Sequence, residues 1–410
     1  MNVLFLSEVF YPHGGGAELA TYLYAKLLSE AKFNVTVVTN RFPSEPEFSK
    51  NEGFTVYRLP LLKRREGIKY SILQRFDVLF SSFMRRWIKW ADVVYVPRFW
   101  FSAIPLAKAL GKPVIVHLHD YIPVCPLTVL YDSRVDGVCQ KGGFCSVGCI
   151  GCVYAYESGR RKGLSRALGS TFLNLTVWPV LRGFIECSDA VVCVSRAQRD
   201  LLVRYAPSLG GKIKVIYDPL PQLSPVPIDG DDFGYFGGSS YLKGFHVLLK
   251  ALKYRKLRGL DPVTVHAAKF SGIDPRFAGF LEELGFVLYG KLGSNEMDQI
   301  YRNVKAVIMP SILGETFGYV VAEALLRGRI VIASRIGGIP EAVEGCKGAF
   351  LLDAGDAAQL AETISVVKGL SREEVKELGK QNKEAFVSRF ENQMTLKDFS
   401  KLCNSVTKTW

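Results

Sequence analysis

The chain lacks any long apolar run. No stretch of 18 apolar residues occurs among its 410 residues, and the longest candidate, 167–181, is interrupted by Ser, Thr, Asn and Pro. A helix needs about 20 mainly apolar residues to cross a bilayer, so no membrane span is expected. Residues 3–7 are also too short for the apolar core of a signal peptide, and Glu8 follows at once. We expect a cytoplasmic protein that is at most peripheral on the cytoplasmic face of a membrane.

Several ligand-binding motifs are also missing. The run Gly14-Gly15-Gly16 is not the Gly-x-Gly-x-x-Gly fingerprint of a dinucleotide site, which argues against an NAD enzyme. No Asp-x-Asp motif stands at a plausible place for a divalent metal. RNA-binding motifs and base-stacking aromatic motifs are not found either, so we expect no nucleic acid partner.

What is present is the composition of a globular protein with two domains. The chain has 48% hydrophobic and 22% charged residues, and its length is too great for one ordinary core. The net charge of +13 is uneven, since residues 1–220 carry 28 Lys and Arg against 17 Asp and Glu. The basic half should face an anionic partner, either a membrane surface or a phosphorylated acceptor.

The alternation of strands and helices divides the chain in two. Between the halves, residues 217–232 contain four prolines and no helical period, which is typical of a linker. Continuous Val- and Ile-rich strands separated by helices indicate parallel sheets buried on both faces. The fold class is therefore α/β, with two Rossmann-like, doubly wound domains over residues 1–219 and 220–390. The predicted strands are 2–7, 34–39, 54–59, 92–96, 113–119, 190–195 and 212–217, then 232–238, 262–268, 286–290, 305–311, 329–334 and 348–353.

The run GETFGYVVAEAL carries the strongest functional signal. Glu315 and Glu323 stand eight residues apart in it. We predict that Glu315 lies on the loop entering a helix and Glu323 two turns inside it, so that the N–H groups of Phe317, Gly318 and Tyr319 open the helix. Such an N-terminus attracts phosphate, because its amides lack internal partners and the helix dipole is positive there. Two carboxylates beside a phosphate site suit a nucleotide sugar, and an ordinary amphipathic helix is the alternative.

This spacing resembles the donor site of retaining glycosyltransferases of family 4. Their signature is a Glu, a short Phe-Gly turn and a second Glu after seven intervening residues. The resemblance covers nearly the whole chain and implies the GT-B fold, in which two Rossmann-like domains face each other across a cleft. In that fold the last helix, here 391–408, packs back on the first domain. Ligands of such sheets bind at the carboxyl ends of the strands.

Other residues match the family pattern one by one. Gly15 and Gly16 match the loop that closes over the donor diphosphate. His119 matches a histidine beside the transferred sugar, where the resemblance implies a transition-state contact and not a general base. His117 lies two residues earlier on the same face of the predicted strand, and we expect it to be a core histidine.

In the second half, Lys243 matches a lysine that neutralises the leaving diphosphate. Glu315 matches the acid that faces the hydroxyls of the donor sugar, and Glu323 matches the acid that bridges the two ribose hydroxyls. The resemblance implies front-face attack with retention of configuration, and no cofactor or divalent metal is required for catalysis. The predicted catalytic residues are His119, Lys243 and Glu315. The predicted donor-binding residues are Gly15, Gly16, Gly238, Ser239, Lys243, Glu315, Phe317, Gly318, Tyr319 and Glu323.

One position departs from the family. An Arg usually stands about five residues before the lysine, and this chain has Gly238 there. The hydroxyl and backbone donors of Ser239 and Ser240, or the side chain of Arg335, are the alternatives for its role.

A cysteine cluster suggests a second kind of site. Cys139, Cys145, Cys149 and Cys152 have a spacing that suits four thiolates on one zinc ion, and Cys125 is an alternative ligand. An iron–sulfur cluster, two disulfides and free thiols are the other possibilities. We predict a structural zinc ion.

Two basic and aromatic stretches, 63–90 and 160–182, suit either an interfacial helix on anionic lipid or an ordinary helix with a solvated basic face.

The resemblance and the motifs that carry it predict a retaining glycosyltransferase. It would move a hexosyl unit from a UDP- or GDP-type nucleotide sugar to a lipid-linked or glycan acceptor at the membrane face. A nucleotide-sugar epimerase on the same fold, or a non-catalytic nucleotide-sugar binding protein, is the alternative.

Overall fold

The computed structural model describes residues 1–43, 45–59, 79–132, 137–139, 147–160 and 163–408. The chain forms two compact units. The first runs to Leu220 and includes the chain from Glu391 onwards, and the second is Pro221–Phe390. The change of unit falls within the proline-rich segment predicted as a linker.

The first unit is built on a sheet of eight strands in the described residues, in the order β10-β9-β6-β5-β1-β2-β4-β3. All neighbouring strands are parallel except β3 and β4. A separate two-stranded pair, β7 with β8, follows β6 in the chain. The strands are β1 (Asn2–Ser7), β2 (Asn34–Asn40), β3 (Phe48–Asn51), β4 (Phe54–Leu59), β5 (Val93–Arg98), β6 (Val114–Leu118), β7 (Tyr131–Asp132), β8 (Gly137–Val138), β9 (Ala190–Cys193) and β10 (Ile213–Val215).

Helices cover both faces of this sheet because its strands are apolar on both sides. Leu4 and Leu6 of β1 pack into one hydrophobic cluster, while Val3 and Phe5 pack into another on the opposite face. Phe399, in the last helix, belongs to the second cluster, so the end of the chain contributes to the core of the first unit. The helices of this unit are α1 (Gly16–Glu30), α2 (Ser82–Trp90), α3 (Ala103–Ala109), α4 (Val147–Arg160), α5 (Leu164–Glu186), α6 (Arg196–Tyr205) and, at the end of the chain, α14 (Asn392–Lys408).

The second unit has a fully parallel sheet of six strands in the order β13-β12-β11-β14-β15-β16. The strands are β11 (Asp232–Tyr235), β12 (Val265–Ala267), β13 (Phe286–Leu288), β14 (Val304–Met309), β15 (Ile330–Ser334) and β16 (Ala349–Leu352). The helices are α7 (Phe245–Leu257), α8 (Pro275–Glu282), α9 (Ser294–Asn303), α10 (Tyr319–Leu326), α11 (Ile339–Ala342), α12 (Ala357–Lys368) and α13 (Arg372–Val387).

Each sheet reverses its strand order at one point. In the first unit the chain winds from β1 through β2 to β4, then returns to β5 on the other side of β1. In the second unit it winds from β11 to β13 and returns to β14, beside β11. In the first unit, the loops after β1 and β5 therefore lie next to each other at the carboxyl edge of the sheet. In the second unit, the same holds for the loops after β11 and β14. This edge is where α/β proteins bind ligands.

The thirteen predicted strands all correspond to observed ones, most of them shorter than predicted. The prediction missed β3, an antiparallel edge strand of four residues with one apolar side chain, and the short β7–β8 pair. Among the described residues, no helix is both long and apolar enough to cross a membrane.

Candidate functional site

An ion pair joins the two loops at the strand reversal of the second unit. Lys243 Nζ lies 2.6 Å from Glu315 Oε1, and Ser311 Oγ donates to the same oxygen at 2.9 Å. The Glu315 side chain is 9% exposed and that of Lys243 is 36% exposed. The carboxylate is therefore fixed by two donors, while the ammonium group remains open to an anion from solvent.

Glycines allow these loops to approach so closely. Gly244 has a φ of 74°, and a Cβ at this position would lie 1.7 Å from the carbonyl oxygen of Pro310. Gly337 has a φ of 57°, and a Cβ there would lie 2.1 Å from the carbonyl oxygen of Glu315. Gly338 N–H donates to that same oxygen at 2.7 Å. A side chain at either left-handed glycine would separate the loops and move Glu315.

Helix α10 begins at Tyr319, directly after Gly318, whose φ of 92° favours glycine. Glu323 is thus the fifth residue of the helix, a little over one turn inside it, not two turns as predicted. The reason is that the three residues after Glu315, which end at Gly318, form a turn outside the helix, so fewer helical residues precede Glu323 than the spacing of eight suggested. Phe317 is buried and its ring packs edge-on against Tyr319 and Phe390, so only its backbone remains for a ligand.

Glu323 lies in a partly buried, mixed-charge environment. Arg327, the residue directly after α10, places its guanidinium 3.4 Å from Glu323 Oε2. Burial raises the pKa of the Glu323 carboxyl, while the positive charges of Arg327 and Lys269 act to lower it. The side chain is still 29% exposed, so a ligand hydroxyl can reach it.

Lys269 is a residue that sequence reasoning missed. It lies two residues after the end of β12 with a φ of 70°, and its N–H donates to the carbonyl of Gly290 at 2.9 Å. Its backbone packs against Gly238, where a Cβ would lie 3.2 Å from the carbonyl oxygen of Lys269. Burial lowers the pKa of its ammonium group, while the charge of Glu323 acts to raise it and that of Lys243 to lower it. A lysine at the carboxyl end of a predicted strand was the only available signal, and no motif marked it.

The two alternatives named for the missing arginine are also at this edge of the sheet. Ser239 and Ser240 are exposed in the loop after β11, and Arg335 is exposed directly after β15. Lys269 therefore joins them as a third candidate, which packs against Gly238 from a separate loop.

In the first unit, the glycine loop leads into α1. Gly14 has a φ of 90°, and the helix begins at Gly16. Glu18 turns back to accept a hydrogen bond from Gly15 N–H at 2.7 Å, and its carboxylate also pairs with Arg98, at the end of β5. The Gly15 amide predicted to bind the donor is thus engaged by the chain itself.

The two histidines lie at the carboxyl end of β6. The strand ends at Leu118, and the rings of His117 and His119 stack with centroids 4.4 Å apart. His117 is fully buried, and its Nδ1 lies 2.5 Å from the hydroxyl of Tyr95. Burial and the neighbouring His119 hold the pKa of His117 well below its usual value of 6.5, so its ring is neutral.

Asp218 faces both histidines. Its Oδ2 lies 3.4 Å from His119 Nδ1, and its Oδ1 lies 3.6 Å from His117 Nε2. Gln198 fixes the backbone around His119, because its side-chain amide donates to the carbonyls of Leu118 at 2.9 Å and of Asp120 at 3.0 Å. Sequence reasoning missed Asp218 and Gln198, although Asp218 follows the last predicted strand of the first half.

Four cysteines line one cavity of the first unit. Cys125, Cys139, Cys149 and Cys152 surround it, and the predicted ligand Cys145 lies outside the described residues. Burial raises the pKa of the Cys125 thiol to about 12. No three sulfur atoms within the described ranges come within 4.8 Å of one another, so a shared metal ion would have to draw them together.

The basic and aromatic stretches are only partly visible, since residues 60–78 lie outside the described ranges. On α5, apolar side chains are exposed at positions spaced by four or eight residues, which follow one side of a helix. They are Leu164, Leu168, Phe172 and Val180, and Phe172 is 69% exposed.

Two family models match the chain. Glycosyltransferase Family 4 matches residues 14–220, and Glycosyl transferases group 1 matches residues 230–367. An uncharacterised 42.6 kDa protein of the cps region of Klebsiella pneumoniae is 22% identical over 83% of this chain and 87% of its own length. Glycogen synthase of Mycobacterium tuberculosis is 28% identical over 62% of this chain and 60% of its own length.

Solved structures share the fold. Sucrose-phosphate synthase from Thermosynechococcus elongatus aligns over 100% of both chains with a TM-score of 0.72 and 17% identity. The HepE protein of Anabaena, solved in complex with UDP-glucose, aligns over 99% of this chain and 100% of its own with a TM-score of 0.65 and 18% identity. These likenesses, together with the two parallel sheets, show the GT-B fold of two Rossmann-like domains.

Proposed function

Because the chain belongs to glycosyltransferase family 4, we propose that it is a retaining enzyme that transfers a hexosyl unit from a nucleoside-diphosphate sugar. The observation that carries the proposal is the arrangement around α10. A partly exposed lysine, a fixed carboxylate and a helix N-terminus without a side-chain cap lie at the strand reversal, and Glu323 lies one turn further on. This set offers cations and amides for a diphosphate and carboxylates for hydroxyl groups.

In the proposed complex, Lys243 exchanges part of its contact with Glu315 for the diphosphate of the donor. A cation there stabilises the charge that develops on the leaving phosphate as the bond to the sugar breaks. Lys269, beside Gly238, supplies a second positive charge where the family has an arginine. The UDP-glucose bound in the Anabaena protein supports a nucleotide sugar, of UDP or GDP type, as the donor.

Retention is proposed to follow from front-face attack. The acceptor oxygen forms its bond to the anomeric carbon on the side from which the phosphate oxygen departs, and that oxygen takes the acceptor proton. No protein base is then needed. Neither is a divalent metal, because Lys243 and the α10 amides supply the positive charge. Turnover after dialysis against EDTA should equal turnover with added Mg²⁺ or Mn²⁺, and full dependence on either ion would contradict this step.

The acceptor is proposed to be a lipid-linked or glycan chain at a membrane face. The exposed apolar side of α5 and the excess of basic residues in 1–220 support binding to anionic lipid. Sedimentation with anionic vesicles should fall in Phe172→Ser, whereas Val366→Ser, an exposed valine on α12, is the matched control. Equal binding by the two variants would remove α5 from the proposal.

Product analysis tests the reaction itself. The protein should be incubated with a panel of radiolabelled UDP- and GDP-sugars and a membrane extract, and the anomeric configuration of the product determined by NMR. Transfer with retention supports the proposal. Conversion of the donor to its epimer would favour an epimerase, and tight donor binding without any product would favour a non-catalytic binding protein.

For the cysteine-lined cavity we keep the proposal of a structural zinc ion, now held by Cys125, Cys139, Cys149 and Cys152. Four cysteines line one cavity, and a tetrahedral zinc ion would draw their sulfur atoms together and tie the segment after β6 to α4. Elemental analysis of untagged protein should find about one zinc per chain. Cys152→Ser should lower it, and Cys187→Ser, an exposed cysteine elsewhere, should not. Less than about a tenth of an equivalent would end this proposal.

A further inference from the structure

The first unit contains a carboxylate that is almost completely buried. Asp218 is 2% exposed, and the ion-pairing groups within 4.0 Å of it among the described residues are the imidazoles of His117 and His119. A carboxylate removed from water is strongly destabilising unless hydrogen-bond donors face it. The hydrogen atoms on the two imidazole rings must therefore be placed so that N–H groups face Asp218.

Tyr95 decides which nitrogen of His117 carries its proton. Burial raises the pKa of Tyr95 well above its usual value of 10, so its hydroxyl keeps the proton and donates it to His117 Nδ1 at 2.5 Å. A neutral imidazole that accepts at Nδ1 carries its hydrogen on Nε2. That Nε2 faces Asp218 Oδ1 at 3.6 Å, and neither atom has a hydrogen-bond partner in the described part of the chain.

The other carboxylate oxygen then serves His119. Asp218 Oδ2 lies 3.4 Å from His119 Nδ1, a distance that a small rotation shortens to a hydrogen bond. We propose that Asp218 is a positioning residue for His119, whose Nδ1–H donates to Oδ2. A ring that carries its only hydrogen on Nδ1 presents Nε2 as an acceptor in a fixed plane.

The backbone on the Asp218 side is firmly held. The carbonyl of Tyr217 accepts hydrogen bonds from the Tyr24 hydroxyl at 3.1 Å and from Thr395 Oγ1 at 3.0 Å. Two residues beyond Asp218, Leu220 exchanges two hydrogen bonds with the side chain of Asn392. Since Gln198 fixes the backbone beside His119, both partners are supported independently, which is what precise positioning requires.

The consequence for turnover rests on the proposed function, but the hydrogen bond itself does not. A histidine that contacts the sugar only when its ring is correctly turned would lose rate and not donor affinity when its positioning partner is removed. Two measurements are therefore needed, one of the imidazole and one of the kinetics.

The first measurement is ¹⁵N NMR of protein labelled at its five histidines, with the His119 signals identified by their loss in His119→Gln. The wild-type spectrum should show His119 with its proton on Nδ1. In Asp218→Asn the proton should shift partly or fully to Nε2. Asp189→Asn, which removes a carboxylate bound to Lys108 in the same unit, is the matched control and should leave His119 unchanged.

The second measurement is the kinetics of transfer. Asp218→Asn should lower kcat by about ten- to a hundredfold, the usual cost of a misplaced group, while KM for the donor changes less than about threefold. Asp218→Glu should recover part of the loss.

Three results would overturn the proposal. These are a wild-type His119 protonated on Nε2, an unchanged His119 spectrum in Asp218→Asn, and a changed spectrum with unchanged kcat. If Asp218→Asn does not fold, the wild-type spectrum alone can still overturn the proposal, because it shows which nitrogen of His119 carries the proton. Tyr95→Phe then tests the role of Tyr95: it keeps the aromatic ring, removes the hydroxyl and should shift the proton of His117. If wild-type protein transfers no sugar, the proposed function fails while the NMR result still decides the role of Asp218.

Discussion

The two units place an ion pair at the same point of their sheets, but they treat the helix beside it differently. In the first unit, Glu18 pairs with Arg98 and also turns back onto the Gly15 amide at the start of α1. In the second, Glu315 pairs with Lys243 and stays outside α10, whose first turn reads Tyr-Val-Val-Ala without an acid. One helix N-terminus is capped by a carboxylate of its own chain, whereas no side chain caps the other.

This difference supports the proposal that the second unit binds the diphosphate of the donor. A carboxylate already at a helix N-terminus both uses an amide and offsets the positive end of the dipole. A second anion gains little there. At α10, glycine precedes the helix, and the partly exposed Lys243 pairs with Glu315 in the loop before it. With the same strand reversal, the first unit thus has an ion pair that caps its own helix, and the second has one that we propose takes part in donor binding.

Removing the exposed lysine should have the largest effect. Lys243→Ala should lower kcat by about a hundredfold or more, because its charge acts on the leaving phosphate mainly in the transition state. Steady-state kinetics with a saturating acceptor would measure this. Lys250→Ala, an exposed lysine on α7, is the control. Equal rates for the two variants would mean that the ion pair of the second unit has no role in turnover and, like that of the first, only stabilises the fold.

Removing the carboxylate on α10 should weaken the donor. Glu323→Ala should reduce the binding free energy of the nucleotide sugar by about 1.5–3 kcal/mol, the range for a hydrogen bond to a charged group. Calorimetry would measure it, with Glu362→Ala on the exposed side of α12 as the control. Unchanged donor affinity in Glu323→Ala would refute a ribose-binding role for this residue.

Breaking the ion pair of the first unit should instead cost stability. Arg98→Ala leaves the buried Glu18 carboxylate without its cation and should lower the free energy of unfolding by about 1–3 kcal/mol. Denaturant unfolding would measure the loss, while calorimetry should find donor binding to the folded variant within error of wild type. A fall in donor affinity with unchanged stability would contradict the distinction between a stabilising ion pair in the first unit and a donor-binding one in the second.

The smallest effect should appear with pH. An ordinary Glu has a pKa of about 4.3. Burial raises the pKa of Glu323 in the free protein, so on acidification this carboxylate takes up its proton at a higher pH than an ordinary Glu does. The proton removes an acceptor for ribose, and donor affinity should therefore fall as the pH drops through that raised value. Glu323→Gln should flatten this part of the profile. A profile identical in the two proteins would assign the titration to another group.

The sequence predicted the alternation of strands in both halves because buried parallel strands are apolar throughout and stand out from amphipathic helices. It missed β3, where an exposed edge strand has no such pattern. It identified Glu315, Glu323 and Lys243 through local spacing. Lys269 carried no motif, since its place beside Gly238 comes from the contact of two separate loops.

Local sequence determined the two Rossmann-like units, the glycine turns and the acids around α10, because propensity and burial act over short stretches of chain. Only the tertiary structure decided how these parts combine. Asp218 is 99 residues from His119 in the chain, and the two meet because β9 pairs with β6 and β10 pairs with β9. Sheet order set that contact, and sheet order depends on the packing of the whole unit.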